Sequence, residues 1–379
     1  MHPFLAFAKA KQRDIVGLIR ELVECESPTD NPQAVNRFVD LLSNRVEANH
    51  VKRLPGGRFG NHLRCEFALP GSNESAGQIL VLAHSDTVWP FGTLAQMPCR
   101  EQAGRLWGPG VLDMKSGIAF FIYAMRMLKL LEIPVQRKIV LQVNSDEEEG
   151  SESSRPLTEE AAKRCALVLV LEPGTGLKGK LKTARKGVGD YLVRVNGRAA
   201  HAGIDFQTGA SAVVELARQI QRIAGFTRIE QGITVNPGVI SGGTRSNVIA
   251  AEAWAQVDIR VVRMKDAPAL DKKFRSLKPF DKRCTVEVDG GLNRPPMERT
   301  AATKKLLQEA RGFGRELGVK IEDSLSGGGS DGNFTAALGI PTLDGLGGVG
   351  EGAHAANESI LIDRIADRTA LLAMLLSRL

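Results

Sequence analysis

The sequence predicts an α/β fold, a sheet flanked by helices, with a smaller α+β unit inserted late in the chain. Three observations carry this. Apolar runs at 79–83, 138–143 and 166–171 have strand length and are rich in Val, Ile and Leu. Between and around them lie segments with helical periodicity. From about residue 185 the pattern changes to alternating strands and amphipathic helices in the order β-α-β-β-α-β.

The elements follow in order. Ile15, Leu18, Ile19, Leu22 and Val23 form one helical stripe over 12–24. Asn31 followed by Pro32 reads as an N-cap and first helical residue, with Val35, Phe38, Val39, Leu41 and Leu42 turned inward. A strand is expected at 63–67, a turn at 71–77 and a central strand at 79–83. The segment 118–131 is apolar nearly all round, so it is a helix buried against the sheet. The inserted unit has strands at 191–195, 233–241, 253–262 and 284–288, with helices at 210–223 and 268–277. This is the ferredoxin-like order. Helices at 303–317 and 362–376 close the chain. The expected organisation is a catalytic domain in two segments, 1–184 and 293–379, with an insertion at 185–292.

Composition excludes several classes. The chain has 379 residues, enough for a full core, and none of its apolar runs approaches membrane-spanning length. The first ten residues lack a basic leader and a cleavage site, so a cytoplasmic protein without membrane attachment is expected. The five cysteines are dispersed, which favours free thiols over a disulfide frame or a Cys-x-x-Cys zinc site. The net charge of +7 suits an anionic substrate; aromatics are only 5% and no nucleic-acid motif occurs, so no nucleic-acid partner is expected.

The chemistry gathers at the strand ends. The run at 79–83 leads into His84-Ser85-Asp86, the run at 138–143 into Asp146-Glu147-Glu148-Glu149, and the run at 166–171 into Glu172. Open α/β sheets bind ligands in the crevice at the carboxyl ends of their strands. Asp113, in a glycine-rich stretch from Gly108 to Gly117, and His354, after Gly352, complete a set of nitrogen and oxygen donors. Five such ligands exceed the three that a catalytic zinc takes from protein. They suit two Zn²⁺ (Co²⁺ or Mn²⁺ being alternatives) if one carboxylate bridges. Two dications, three carboxylates and a hydroxide give a neutral cluster, which is far easier to bury than bare charge.

These motifs, with Gly197-Arg198-Ala199-Ala200-His201-Ala202-Gly203 and Gly327-Gly328-Gly329-Ser330-Asp331, occur in an order that resembles the dinuclear-zinc carboxypeptidase and aminoacylase family. That family includes acetylornithine deacetylase and succinyl-diaminopimelate desuccinylase. The nearest likeness is to its glutamate carboxypeptidase branch. The resemblance implies a zinc-exopeptidase-like mixed sheet with an inserted lid and dimerisation domain. It makes Asp113 the bridging ligand, with His84 and Glu172 on one zinc and Glu148 and His354 on the other. Asp86 would hydrogen-bond the His84 ring, Glu147 would be the general base, and the peptide after Asp113 would be cis. His201 would reach a partner subunit's active site in a homodimer, with domain closure completing it. Asn247 and Arg260 match substrate-binding or site-assembling positions, and Gly329 one where backbone approaches the substrate.

Lys178, Lys180, Lys182, Arg185 and Lys186 form a basic run. Most such runs are solvated edges. The functional alternative is that Lys180 and Arg294 take substrate carboxylates. The expected activity is hydrolysis of an amide beside a free carboxylate in a small peptide, releasing a C-terminal residue such as glutamate. An N-acyl-amino-acid deacylase and a non-catalytic zinc scaffold are the alternatives.

Overall fold

The computed structural model describes residues 1–379, and of Glu74 the backbone alone. The chain divides into two compact units: Met1–Ala184 with Arg299–Ser326 and Ser330–Leu379, and Arg185–Glu298 with Gly327–Gly329. The return to the first unit thus falls after Glu298 rather than 292, because the strand Thr285–Arg294 runs past that point.

The first unit is built on a six-stranded mixed sheet. Its order is His50–Pro55, Asn61–Phe67, Lys138–Asn144, Gln78–His84, Cys165–Val170, Thr342–Leu343. The first two strands run antiparallel to their neighbours and the other four are mutually parallel. Strand periodicity sorts the central strand's side chains between two layers. Ile79, Val81 and Ala83 enter the main core, with Phe120, Phe121 and Leu372. Leu80 and Leu82 enter a smaller layer with Val140, Val168, Val170, Ala161 and Ala162. The helix Ser116–Leu130 is buried on nearly every side, packed against the C-terminal helix Ile365–Arg378. Each such Val, Leu, Ile or Phe side chain stabilises the fold by roughly 1.5–3 kcal/mol relative to exposure.

The helix Pro32–Arg45 starts as its sequence indicates: the Asn31 side chain accepts from Ala34 N at 3.0 Å, a cap worth about 0.5–2 kcal/mol. The helix Pro3–Ala10, unmarked by a strong apolar stripe, is capped by His2 Nδ1, which accepts from Phe4 N. A second small sheet orders Gly350–Glu351, Ser359–Leu361, Arg105–Trp107 and Arg100–Gln102. Its pairing of Trp107 with Ser359 brings the Asp113 loop beside the His354 turn.

The second unit has four antiparallel strands in the order Thr234–Gly242, Glu252–Val261, Gly187–Asn196, Thr285–Arg294. With the helices Ala212–Ala224 and Ala267–Arg275 this is the expected ferredoxin-like arrangement. Tyr191, Val193 and Val195 alternate into its core, where Tyr191 stacks on Phe274 with centroids 3.9 Å apart. All five cysteines are free. Among the described residues no helix is long and apolar enough to cross a membrane.

Candidate metal centre

Three adjacent parallel strands of the large sheet end at one edge of the first unit. His84 is the last residue of Gln78–His84 and lies opposite Asn144, so the turn carrying Glu147 and Glu148 starts beside it. Glu172 follows Cys165–Val170 on the other flank. The peptide path past Glu172 is tightly walled: a Cβ on Gly117 would lie 2.2 Å from Leu171 O, and one on Gly347 2.1 Å from it. Only glycine lets the buried helix and the 345–348 loop come so near.

Asp113 arrives from the side, in a turn over Val111–Lys115 that leads into the buried helix. Gly110 enters that turn with φ +71, and a Cβ there would meet Thr87 Cγ2 at 2.8 Å. The peptide Asp113–Met114 is cis, as the resemblance implies. His354 sits at φ +61 in the turn after Gly350–Glu351.

These residues form two groups that share Asp113. His84, Asp113 and Glu172 bring ligand atoms within 4.8 Å of one another, and so do Asp113, Glu148 and His354. His84 Nε2 lies 3.2 Å from Asp113 Oδ1 and 3.6 Å from Glu172 Oε1. His354 Nε2 lies 3.5 Å from Asp113 Oδ2 and 3.3 Å from Glu148 Oε2. One carboxylate oxygen of Asp113 thus faces each group.

The donor chemistry fits a pair of cations. Three carboxylates converge, and Glu148 Oε1 is buried without a hydrogen-bond partner among the described residues. Burial pushes the Glu148 carboxyl up, offset in part by His354. Burial also opposes charge on His84, but Asp113, Asp86 and Glu172 together hold its imidazole well above the ordinary range. Contacts with Asp113 and then Glu148 push His354 up to about 10. The carboxylates thus favour a proton on both rings, and metal ions bound there would replace those protons.

Asp86 departs from its expected contact. His84 Nδ1 donates to the Asp86 backbone carbonyl at 2.9 Å, while the Asp86 carboxylate lies farther off, at 3.5 Å. The shorter contact fixes the tautomer and aims Nε2 at the ligand group. The buried carboxylate instead accepts from Glu147 N at 3.3 Å, Glu148 N at 3.1 Å and Thr29 Oγ1 at 3.0 Å. It therefore holds the backbone of the candidate ligand Glu148 and of Glu147, the residue expected to act as base. Behind that turn, Asp146 accepts from Ser153 and Ser154, and Asp331 from Ser151 and Asn144.

Two further polar residues have no sequence motif of their own. Glu358, fully buried, accepts from three backbone N–H groups of the Asp113 loop and from Trp89. Burial pushes its carboxyl up to about 7, with those donors drawing it back down. The available sequence signal is a lone acid four residues past His354, among Ala355, Ala356 and Asn357. Lys182 is nearly buried, with Nζ 4.0 Å from Glu172 Oε2.

The basic run is therefore not one solvated edge. Lys178 and Lys180 face Glu322 at 3.9 and 3.6 Å, Lys182 turns inward, and Arg185 is buried in the second unit. There Arg185 Nη1 donates to Gly328 O and Gly329 O, at 3.0 and 2.7 Å. Gly329 packs on Arg294, where a Cβ would meet Arg294 Cδ at 2.8 Å. His201 and Asn247 are brought together in the second unit: His201 bridges to Val248, and Ala202 N donates to Asn247 O at 3.0 Å. Their chain neighbours Ala202, Ser246 and Val248, with Arg245, line a cavity of about 940 Å³. His201 Nδ1 accepts from Gly203 N and Ile204 N, both at 3.2 Å, which leaves Nε2 to carry the proton outward. Arg260 forms a two-pronged ion pair with Asp258 on the outer face of the sheet.

Comparison with known proteins places the chain in a family. Residues 80–378 match the family described as Peptidase family M20/M25/M40. Carboxypeptidase G2 of Pseudomonas sp. (strain RS-16) is 30% identical over 359 residues, covering 88% of this chain and 86% of its own. Among solved structures, aminopeptidase PepT from Bacillus cereus superposes with a TM-score of 0.80 at 23% identity, over 97% of this chain and 98% of the other. A dinuclear metal-binding peptidase of the M20 family from Bacillus subtilis, YXEP, gives 0.69 at 14% identity, over 97% and 98%. The chain belongs to peptidase family M20/M25/M40, a family of metal-dependent hydrolases.

Proposed function

We propose that this chain is a dinuclear zinc carboxypeptidase that cuts an amide bond next to a free carboxylate, releasing a C-terminal amino acid such as glutamate from a small peptide. The observation that carries the reading is Asp113, with one carboxylate oxygen turned to each of two His-plus-carboxylate groups. The resemblance to a carboxypeptidase over most of the chain supports the substrate class.

His84, Asp113 and Glu172 would hold one ion, and Asp113, Glu148 and His354 the other. Imidazole and carboxylate donors suit Zn²⁺, with Co²⁺ or Mn²⁺ as substitutes. Bound there, the pair would polarise the scissile carbonyl and bring the pKa of water to about 7. Glu147 neighbours a ligand and belongs to neither ligand group. In this reading it takes the proton of the attacking water and hands it to the departing amine nitrogen. Lys180 and Arg294 take substrate carboxylates, Arg294 by its two-pronged geometry. Gly329 lets substrate approach the backbone, and Asn247 and Arg260 help seat it.

His201, its Nε2–H turned outward, would stabilise the developing oxyanion of a partner subunit. A homodimer is supported by apolar side chains exposed on the edge strand and neighbouring helix of the second unit: Val239, Ile240, Val213 and Val214.

The test is release of free amino acid by zinc-loaded protein from N-blocked dipeptides, set against N-acyl amino acids. Preferential cleavage of the dipeptides, with a C-terminal acidic residue favoured, is expected. Preference for N-acyl amino acids would assign the chain as a deacylase. Hydrolysis of neither would leave a metal-binding scaffold.

A further inference from the structure

Glu358 touches no ligand side chain, yet three segments that carry ligands meet on it. Its Oε1 accepts from Leu112 N at 2.9 Å and Asp113 N at 3.0 Å. Its Oε2 accepts from Gly110 N at 2.9 Å and Trp89 Nε1 at 2.8 Å. Gly110 to Asp113 is the bridging ligand's own loop. Trp89 lies just past the His84–Val88 stretch. Glu358 itself ends the turn that bears His354: its N–H donates to Ala355 O at 2.9 Å, and its carbonyl accepts from Gly108 N at 3.3 Å. Gly352 opens that turn at φ +83, where a Cβ would lie 2.8 Å from Glu358 N. The side chain is fully buried, so no water competes for these donors.

We propose that Glu358 is a positioning residue that locks the Asp113 loop to the His354 turn, and so sets the spacing of the Asp113–Glu148–His354 group. The inference rests on the dinuclear reading above. Glu358 holds the backbone of Asp113 itself and lies in the turn of His354, whereas His84, five residues before Trp89, is fixed by its pairing with Asn144 in the sheet. Glu172 and Glu148 are held instead by the strand ends and, for Glu148, by Asp86. Loosening Glu358 therefore disturbs the group containing His354 more than the one containing His84 and Glu172.

Glu358→Gln keeps the volume but turns an NH₂ group toward one pair of N–H donors. Trp89→Phe removes a single donor and leaves the carboxylate its three backbone bonds. The experiment is calorimetric Zn²⁺ binding to the metal-stripped full chain, with the visible spectrum of the Co²⁺ form as a second readout. Wild type should take up two ions. Glu358→Gln should keep one binding phase within about 3-fold of wild type and weaken the other about 10–100-fold, the range for removing an outer partner of a metal ligand. The Co²⁺ spectrum should change for that ion alone. Trp89→Phe should shift the same phase in the same direction, by less. Two unaltered phases in Glu358→Gln, or equal weakening of both, would overturn the proposal. Should Glu358→Gln fail to fold, Trp89→Phe decides: selective weakening supports the lock, and a wild-type isotherm overturns it. A wild-type chain that takes up fewer than two ions overturns the dinuclear reading and the lock with it.

Discussion

Glu148 makes the metal reading quantitative. In the metal-free chain its carboxylate is buried, with Oε1 unpaired among the described residues. A buried unsatisfied acceptor costs about 1–3 kcal/mol, and more when charged. Glu148→Gln removes that charge, keeps an oxygen for His354 and takes away a ligand. The metal-free variant should thus be as stable as wild type or up to about 2 kcal/mol more stable. Zinc at 100 times the wild-type Kd stabilises the native state by about 2.7 kcal/mol; a variant binding about 100-fold more weakly gains only about 0.4 kcal/mol. At about 2 °C per kcal/mol for a unit of this size, zinc should raise the wild-type melting temperature by roughly 5 °C and that of the variant by roughly 1 °C. Melting followed by circular dichroism with and without Zn²⁺, and Ca²⁺ as control, measures both numbers. A variant that melts several degrees below wild type without metal, yet keeps the full zinc-induced rise, would refute the reasoning.

Further outcomes follow from the same geometry. Glu147→Gln should lower kcat by about 10²–10⁴-fold with zinc binding intact; unchanged turnover would remove Glu147 from the proton path. Gly347→Ala places a Cβ 2.1 Å from Leu171 O and 3.0 Å from Glu172 O. It should cost about 1–3 kcal/mol in urea unfolding and weaken zinc binding as Glu172 is displaced. His62 is held below its usual pKa, chiefly by burial, with Asp146 opposing. The unfolded chain therefore binds the extra proton first. Stability should be full above about pH 6.5 and decline as pH falls through that value toward the lowered native one. His62→Gln should flatten that limb of the urea-midpoint curve, and a curve of unchanged slope would count against the assignment.

How much of this was legible depended on how local each signal is. The three parallel strands announced themselves because each apolar run leads within a few residues to a candidate site residue: His84, then the expected base Glu147 with the candidate ligand Glu148, then Glu172. The alternation in Gly187–Asn196 and Glu252–Val261 did the same for the inserted sheet. Signals that depend on folding were hidden. Glu358 works through groups near positions 89 and 110–113, and nothing in a run of Ala, Asn and Glu indicates that. Lys178, Lys180, Lys182 and Arg185 look alike in sequence, but a strand at Leu181–Arg185 separates their surroundings. Lys178 and Lys180 meet Glu322, which arrives from much later in the chain, and Lys182 meets Glu172. The family resemblance pairs the Asp86 side chain with the His84 ring, but that side chain serves the neighbouring turn and the backbone carbonyl serves the ring. His62, which carries no motif, joins Ser145 and Ser153 in a buried network behind the site.

Metal analysis of the Asp113→Ala variant bears most directly on the shared carboxylate. After equilibration with buffered zinc and removal of excess, the wild-type chain should retain two ions and the variant should lose tight binding of both, because each group forfeits a ligand in a single substitution. A variant that retains one ion at wild-type affinity, or both, would contradict the bridging role of Asp113 on which the account is built.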